Sequence, residues 1–129
     1  MTGEALLPLG EVPELAGAQV VLEALRALGI ESLMPAQAKA LRSGLLSSDR
    51  NIVVVAPTGS GKTLIGYMAM LKSFAEGRIG VYLTPLKSIA AEKLEDLGVV
   101  CKEVGCRPCI TTGDYDQPSE LSLIHISEP

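Results

Sequence analysis

An apolar run that passes without pause into a glycine turn is the strongest constraint on this chain. Ile52-Val53-Val54-Val55 has no polar alternation and leads into Ala56-Pro57-Thr58-Gly59-Ser60-Gly61-Lys62-Thr63. Leu64, Ile65, Met68, Ala69 and Leu71 then recur at helical spacing. An unbroken apolar run predicts a parallel strand buried on both faces. Gly59 and Gly61 permit the backbone angles and the close approach that a tight turn needs. A helix starting near Gly61 points unpaired N–H groups and the positive end of its dipole at that turn. Lys62 adds a full positive charge, and the Thr63 hydroxyl suits Mg²⁺. Strand, turn, Lys-Thr and helix in this order form a triphosphate cradle, the P-loop, with Lys62 on the β/γ-phosphates and Thr63 on the metal. One departure stands out: the usual first glycine of G-x-x-x-x-G-K-T is Ala56 here.

Composition bounds what surrounds the cradle. With 129 residues, 47% of them hydrophobic, the chain can bury one modest core. A net charge of −4 gives no bulk electrostatic support to nucleic-acid binding, although a local groove can still be basic. Met1–Gly10 has neither the basic start nor the apolar stretch of a signal peptide. No apolar run approaches the ~20 residues that span a bilayer. The expectation is a cytoplasmic protein with no membrane partner. Cys101, Cys106 and Cys109 are odd in number, which argues against a disulfide framework. Cys106-Arg107-Pro108-Cys109 is formally C-x-x-C, but no fourth ligand stands at finger-like spacing, so no zinc is expected.

Along the chain, residues 1–13 read as an irregular lead-in interrupted by Pro8 and Pro13. Leu15, Ala18, Val21, Leu22, Leu25 and Leu28 recur at helical spacing from Glu14, and Gly29 stands where a left-handed cap belongs. Pro35 opens a second predicted helix, running to about Leu46. Gly77 ends the helix after the P-loop, and Ile79–Thr84 reads as a second buried strand. A helix from Leu86 follows, its charges Lys87, Glu92, Glu95, Asp96, Lys102 and Glu103 read mostly as a solvated face. Gly105 stops it, and Cys109–Thr112 reads as a third strand. Strands alternating with helices predict an α/β fold with a mainly parallel sheet. No Asp-Glu pair ends an apolar run downstream of the P-loop, so the carboxylate that normally supports Mg²⁺ and the residue that positions water are both missing.

Four stretches together resemble superfamily-two DEAD/DExH-box helicases, most closely the Ski-like group that includes archaeal DNA helicases. Ala56–Thr63 looks like that family's motif I, in which Ala commonly takes the first place. Gly29-Ile30-Glu31-Ser32-Leu33-Met34-Pro35-Ala36-Gln37 is similar to its Q-motif region, which implies that Gln37 reads the adenine edge. Tyr82–Ala90 resembles motif Ia, and Thr111-Thr112-Gly113-Asp114-Tyr115-Asp116 the T-G-D-Y stretch. Those two place Pro85, Leu86, Lys87, Thr112 and Gly113 near a nucleic-acid track. The resemblance covers roughly residues 9–120 and implies an incomplete RecA-like P-loop domain with its sheet flanked by helices. It implies ATP and Mg²⁺ as cofactors, bound at Gln37 and Ala56–Thr63, with Lys62 and Thr63 catalytic. Single-stranded or forked nucleic acid, DNA ahead of RNA, is the implied partner.

The family's acidic box and second RecA-like domain are absent from these residues, so the chain reads as the first part of a longer motor, inactive by itself. Residues 121–129, Leu-Ser-Leu-Ile-His-Ile-Ser-Glu-Pro, do not resemble the family. They back-translate to codons that look like a sequencing adapter, so the expected organisation is lead-in 1–13, helicase part 14–120 and an artefactual 121–129. His125 is accordingly given no metal or catalytic role. Two other readings remain open. A P-loop kinase of a small molecule explains motif I but not Gln37 or the T-G-D-Y stretch, and a bare nucleotide-binding fragment needs no hydrolysis.

Overall fold

Helix boundaries follow the local signals in this chain closely, and strand pairing does not. The computed structural model describes residues 6–84, 87–111 and 122–127. Residues 7–13, expected to be irregular, are built into the fold. Strand β1 (Leu7–Pro8) pairs antiparallel with β2 (Ser32–Leu33). A 3-10 turn at Leu9–Glu11 then delivers Leu9 and Val12 to the core. Pro13 does not interrupt a helix. It opens α1 (Pro13–Ala16) at the first position, where its missing N–H loses no bond. The helix expected from Glu14 to Leu28 is broken at Gly17 into α1 and α2 (Gln19–Ala27), although Leu15, Val21 and Leu25 still share one buried face. Helix α3 (Pro35–Arg42) stops earlier than expected, with Gly44 at φ +99° just beyond it.

The P-loop helix α4 (Lys62–Ala75) is packed on nearly every turn, through Leu64, Ile65, Tyr67, Met68, Met70 and Leu71. It touches α2, α3 and β3 (Gly80–Thr84). Helix α5 (Lys87–Val104) buries Ala90, Leu97, Val100 and Cys101 against α2 and the sheet, and leaves Glu92, Glu95, Asp96, Lys102 and Glu103 exposed as predicted. Helices α2, α3, α4 and α5 end in the same way. A glycine at positive φ (Gly29, Gly44, Gly77, Gly105) lets the next N–H reach back to a carbonyl five residues earlier.

The sheet corrects two expectations. Strands β3 and β4 (Arg107–Thr111) flank β5 (Ser122–Ser127) in the order β3-β5-β4, and both ladders are antiparallel. Thus β3 and β4 are parallel to each other across α5, while every ladder among the described residues is antiparallel. Only ten residues separate β4 from β5, and a strand reached by a short connection pairs antiparallel, since parallel pairing needs a crossover of a dozen or more. Residues 121–129 were expected to stand outside the fold, yet 122–127 hold the middle of this sheet.

The second correction concerns the strands thought to be buried on both faces. Ile52–Val55 pairs with no strand among the described residues, and Val53 and Val55 are 89% and 93% exposed. In β3, Gly80 and Thr84 are buried but Val81 and Leu83 are exposed. Apolar runs predict burial on both faces only when layers exist on both sides, and here the helices cover one.

Candidate nucleotide site

The turn from Pro57 to Gly61 is held by its own short bonds. The Ser60 N–H and hydroxyl both donate to the Pro57 carbonyl, the former at 3.2 Å. Gly59 and Gly61 take φ +85° and +86°, left-handed values that a side chain resists. Gly61 is the N-cap of α4 and offers no capping side chain, so the first N–H groups of the helix face outward at the turn. Lys62 is exposed, with no carboxylate in ion-pair range among the described residues, and Thr63 is half-buried beside it. An electropositive cap of this composition attracts a polyanion.

Gln37 is buried, at 4% exposure, and bridges two elements. Its Oε1 accepts the Met34 N–H at 2.8 Å, and its Nε2 donates to the Gly61 carbonyl at 3.1 Å. The first bond follows from position: Gln37 is the third residue of a helix whose N-cap is Met34, where a glutamine reaches back to the cap N–H. The second ties α3 to the P-loop. A Cβ on Gly61 would sit on the Gln37 amide and 3.1 Å from Met34 Sδ, so any side chain there displaces this bridge. Met34 was missed from sequence, although the cap spacing to Gln37 points to it.

Packing of α4 on β3 sets where the P-loop faces. A Cβ on Gly66 would meet the Tyr82 ring at 2.9 Å, and one on Gly80 would meet Met70 Cα at 2.7 Å. Advancing along α4 from 66 to 70 thus moves backward along β3 from 82 to 80. The helix is antiparallel to the strand, and its N-terminus lies at the strand's carboxyl end. Thr84 pairs with Ser122 and Thr111 with Leu123, so β3 and β4 end at one level, two strand spacings or about 10 Å apart. The P-loop and the ends of β3 and β4 therefore share the carboxyl edge of the sheet, where α/β folds bind ligands. Lys87 opens α5 at this edge. Pro85, Leu86, Thr112 and Gly113 lie outside the described residues.

Two other features lie away from this edge. A cavity of about 480 Å³ is lined by Gly17–Val21, Leu46–Asp49, Lys72, Ala75 and Glu76. It sits at the far end of α4, about 15 Å from Lys62 by helical rise. Lys72 there donates to the Ser48 carbonyl and pairs with Asp49 at 3.4 Å and Glu76 at 3.8 Å. The cysteines also depart from expectation: Cys101 and Cys106 form a disulfide, leaving Cys109 free. No described helix is long and apolar enough to cross a membrane.

A lysine-bearing glycine turn, capping a helix at the carboxyl edge of parallel strands, defines the P-loop class of nucleotide-binding folds. The family model described as DEAD/DEAH box helicase matches residues 34–128, most of the chain. The chain belongs to the DEAD/DEAH box helicase family. Among curated proteins it is 39% identical to the ATP-dependent DNA helicase Hel308 of Methanocaldococcus jannaschii over 82% of its length, 9% of the relative's. It is 47% identical to the Hel308 of Methanocella arvoryzae over 71% of its length, 13% of the relative's. The Hel308 of Pyrococcus abyssi is 42% identical over 85% of the chain, 15% of the relative. The chain thus spans about a tenth to a seventh of the length of these relatives. No solved structure matches it.

Proposed function

We propose that this chain supplies the ATP-binding part of the first motor domain of a DNA helicase. The shared carboxyl edge carries the reading: it gathers the P-loop, Gln37, the start of α5 and the ends of β3 and β4. The parallel relation of β3 and β4 across α5 supports a RecA-like arrangement, with further parallel strands as the finer expectation. The turn Ala56–Thr63 would hold the phosphates on its backbone N–H groups, Pro57 having none, and Lys62 would neutralise the charge that builds on the β/γ oxygens during transfer. The Thr63 hydroxyl, half-exposed in the first turn of α4, is the chain's own donor toward Mg²⁺, whose charge polarises the γ-phosphate when bound. Gln37 keeps one amide N–H and one lone pair beyond its two internal bonds, enough to read an adenine edge. Pro85–Lys87 and Thr112–Gly113 are the proposed contacts to the nucleic-acid strand. The chain as it stands binds ATP without turning it over, because no strand among the described residues ends in a carboxylate that completes the metal site.

The decisive experiment is DNA-stimulated ATP hydrolysis by the longer protein, comparing Lys62→Ala with the parent. Turnover should fall by about 10²–10³-fold, as when one transition-state donor is lost. Near-normal turnover would refute the site, and ATPase indifferent to single-stranded DNA would favour a small-molecule kinase.

A further inference from the structure

Four helices in this molecule close with the same backbone turn, and only one of the closures pairs two cysteines. In α5 the Gly105 and Cys106 N–H groups both donate to the Cys101 carbonyl, at 2.8 and 3.1 Å. The residue after the glycine is thereby folded over the last helical turn, where two apolar side chains ordinarily touch. At α2 the matching pair is Leu25 and Ile30, whose N–H···O bond is 2.9 Å, at α3 it is Ala40 and Leu45, at 3.2 Å, and at α4 it is Ser73 and Arg78, at 2.8 Å. The closure therefore forms without a covalent link. At α5 it holds the Cys101 and Cys106 Cα atoms 4.5 Å apart, inside the range that a disulfide spans.

From this we infer that Cys101 and Cys106 are a reversible redox pair, a dithiol that the cap preorganises and a small-molecule disulfide oxidises. Cys106 is 9% exposed and Cys101 2%, so the oxidant enters at Cys106. The Cys106 thiolate attacks one sulfur of the small disulfide, forming a mixed disulfide and releasing one small thiolate. The Cys101 thiolate then attacks the Cys106 sulfur and expels the second. The two protons lost by the cysteines end on the two released thiols, and the two electrons reduce the oxidant. Cys109, three residues beyond Cys106 in β4, stays outside the pair. The link staples the end of α5 to the residue before Arg107, where β4 begins. Its effect is local: opening of the last turn of α5 becomes rarer in the oxidised chain.

The test titrates the full chain through graded ratios of reduced and oxidised glutathione, alkylates the remaining thiols and maps the peptides. A reversible Cys101–Cys106 link is expected, with Cys109 alkylated at every ratio. Amide exchange at Gly105 and Cys106 should be about tenfold slower, or more, in the oxidised form. Cys101→Ser should accumulate the glutathione adduct on Cys106, and Cys106→Ser much less of it on Cys101. A link through Cys109, adducts without a link in the parent chain, or equal exchange in the two states would overturn the inference. The parent chain alone decides it if a serine variant fails to fold. No nucleotide enters the assay, so its outcome is separate from that of the helicase reading.

Discussion

Helix α4 and the segment that feeds it, Ile52–Val55, are both rich in apolar residues and lie six residues apart in sequence, yet one is packed and the other is bare. Six residues of α4 are buried, whereas Val53 and Val55 are almost wholly open. A helix completes its own hydrogen bonds and needs only one apolar neighbour, which α2 and α3 provide. A strand needs partners on its edges and layers on its faces, all supplied by residues distant in sequence. The same contrast separates the helices from β3, whose Val81 and Leu83 lie open on the face away from α4. In this chain the helix that follows the glycine turn is packed, and the sheet behind it is half covered.

The largest effect that can test this contrast is in α4. Met68 is 0% exposed in the centre of the core, so Met68→Ala should lower unfolding free energy by about 2–5 kcal/mol, read from urea denaturation. A loss below 1 kcal/mol would mean that α4 is no better packed than the segment before it.

The helix–sheet seam comes next. Gly80→Ala places a methyl 2.7 Å from Met70 Cα and 2.9 Å from its carbonyl oxygen, backbone atoms that cannot swing away. About 1–3 kcal/mol of destabilisation is expected. Gly98→Ala, in the middle of α5 with nothing within 4 Å, is the control and should stabilise by about 0.5–1 kcal/mol. If both changes act alike, α4 does not press on β3 as closely as described, and the orientation of the P-loop toward the carboxyl edge loses its support.

How much of this was legible in sequence follows the same division. The helices, their glycine ends and the P-loop turn are local, and their signals lie within a few residues of Gly29, Pro35, Gly61, Gly77 and Gly105. The pairing of β3 and β4 with 122–127 was not legible, since nothing in an apolar run names its neighbour. The bond from Gln37 to Gly61 spans 24 residues and depends on how α3 meets α4. Its companion to Met34 was readable from cap spacing. The Cys101–Cys106 pair was readable too: Gly105 marks a closure that brings its flanking residues together, a signal that cysteine parity hides.

A smaller effect concerns the contact between α4 and α5. The Tyr67 hydroxyl donates to Asp96 at 3.2 Å, and its ring lies 5.9 Å from that of Tyr82. Burial first, and then the Asp96 charge, push the phenol well above its ordinary range. Tyr67→Phe should cost about 1 kcal/mol at neutral pH. The unfolded phenol ionises near its ordinary value of about 10 while the folded one keeps its proton, so the unfolded state binds fewer protons above that pH. Stability should therefore fall as pH rises past 10, with a shallower fall in Tyr67→Phe. An identical slope in both chains would show that Tyr67 ionises freely and that the α4–α5 contact is loose.

The smallest effect belongs to the bare segment itself. Val55→Thr swaps a methyl for a hydroxyl at nearly constant shape, so its consequence depends almost wholly on whether water reaches the position. At 93% exposure the change should stay within about 0.5 kcal/mol in this chain. In a longer protein whose further parallel strands pair with Ile52–Val55 and bury it, the same hydroxyl would lack a partner and should cost about 1–3 kcal/mol. A near-zero change in both proteins would mean that the segment remains uncovered, and the proposed RecA-like sheet would then lack the strand that leads into the P-loop. A large change in the 129-residue chain would mean that Val55 is already buried, most simply against a second copy, and the contrast with α4 would disappear.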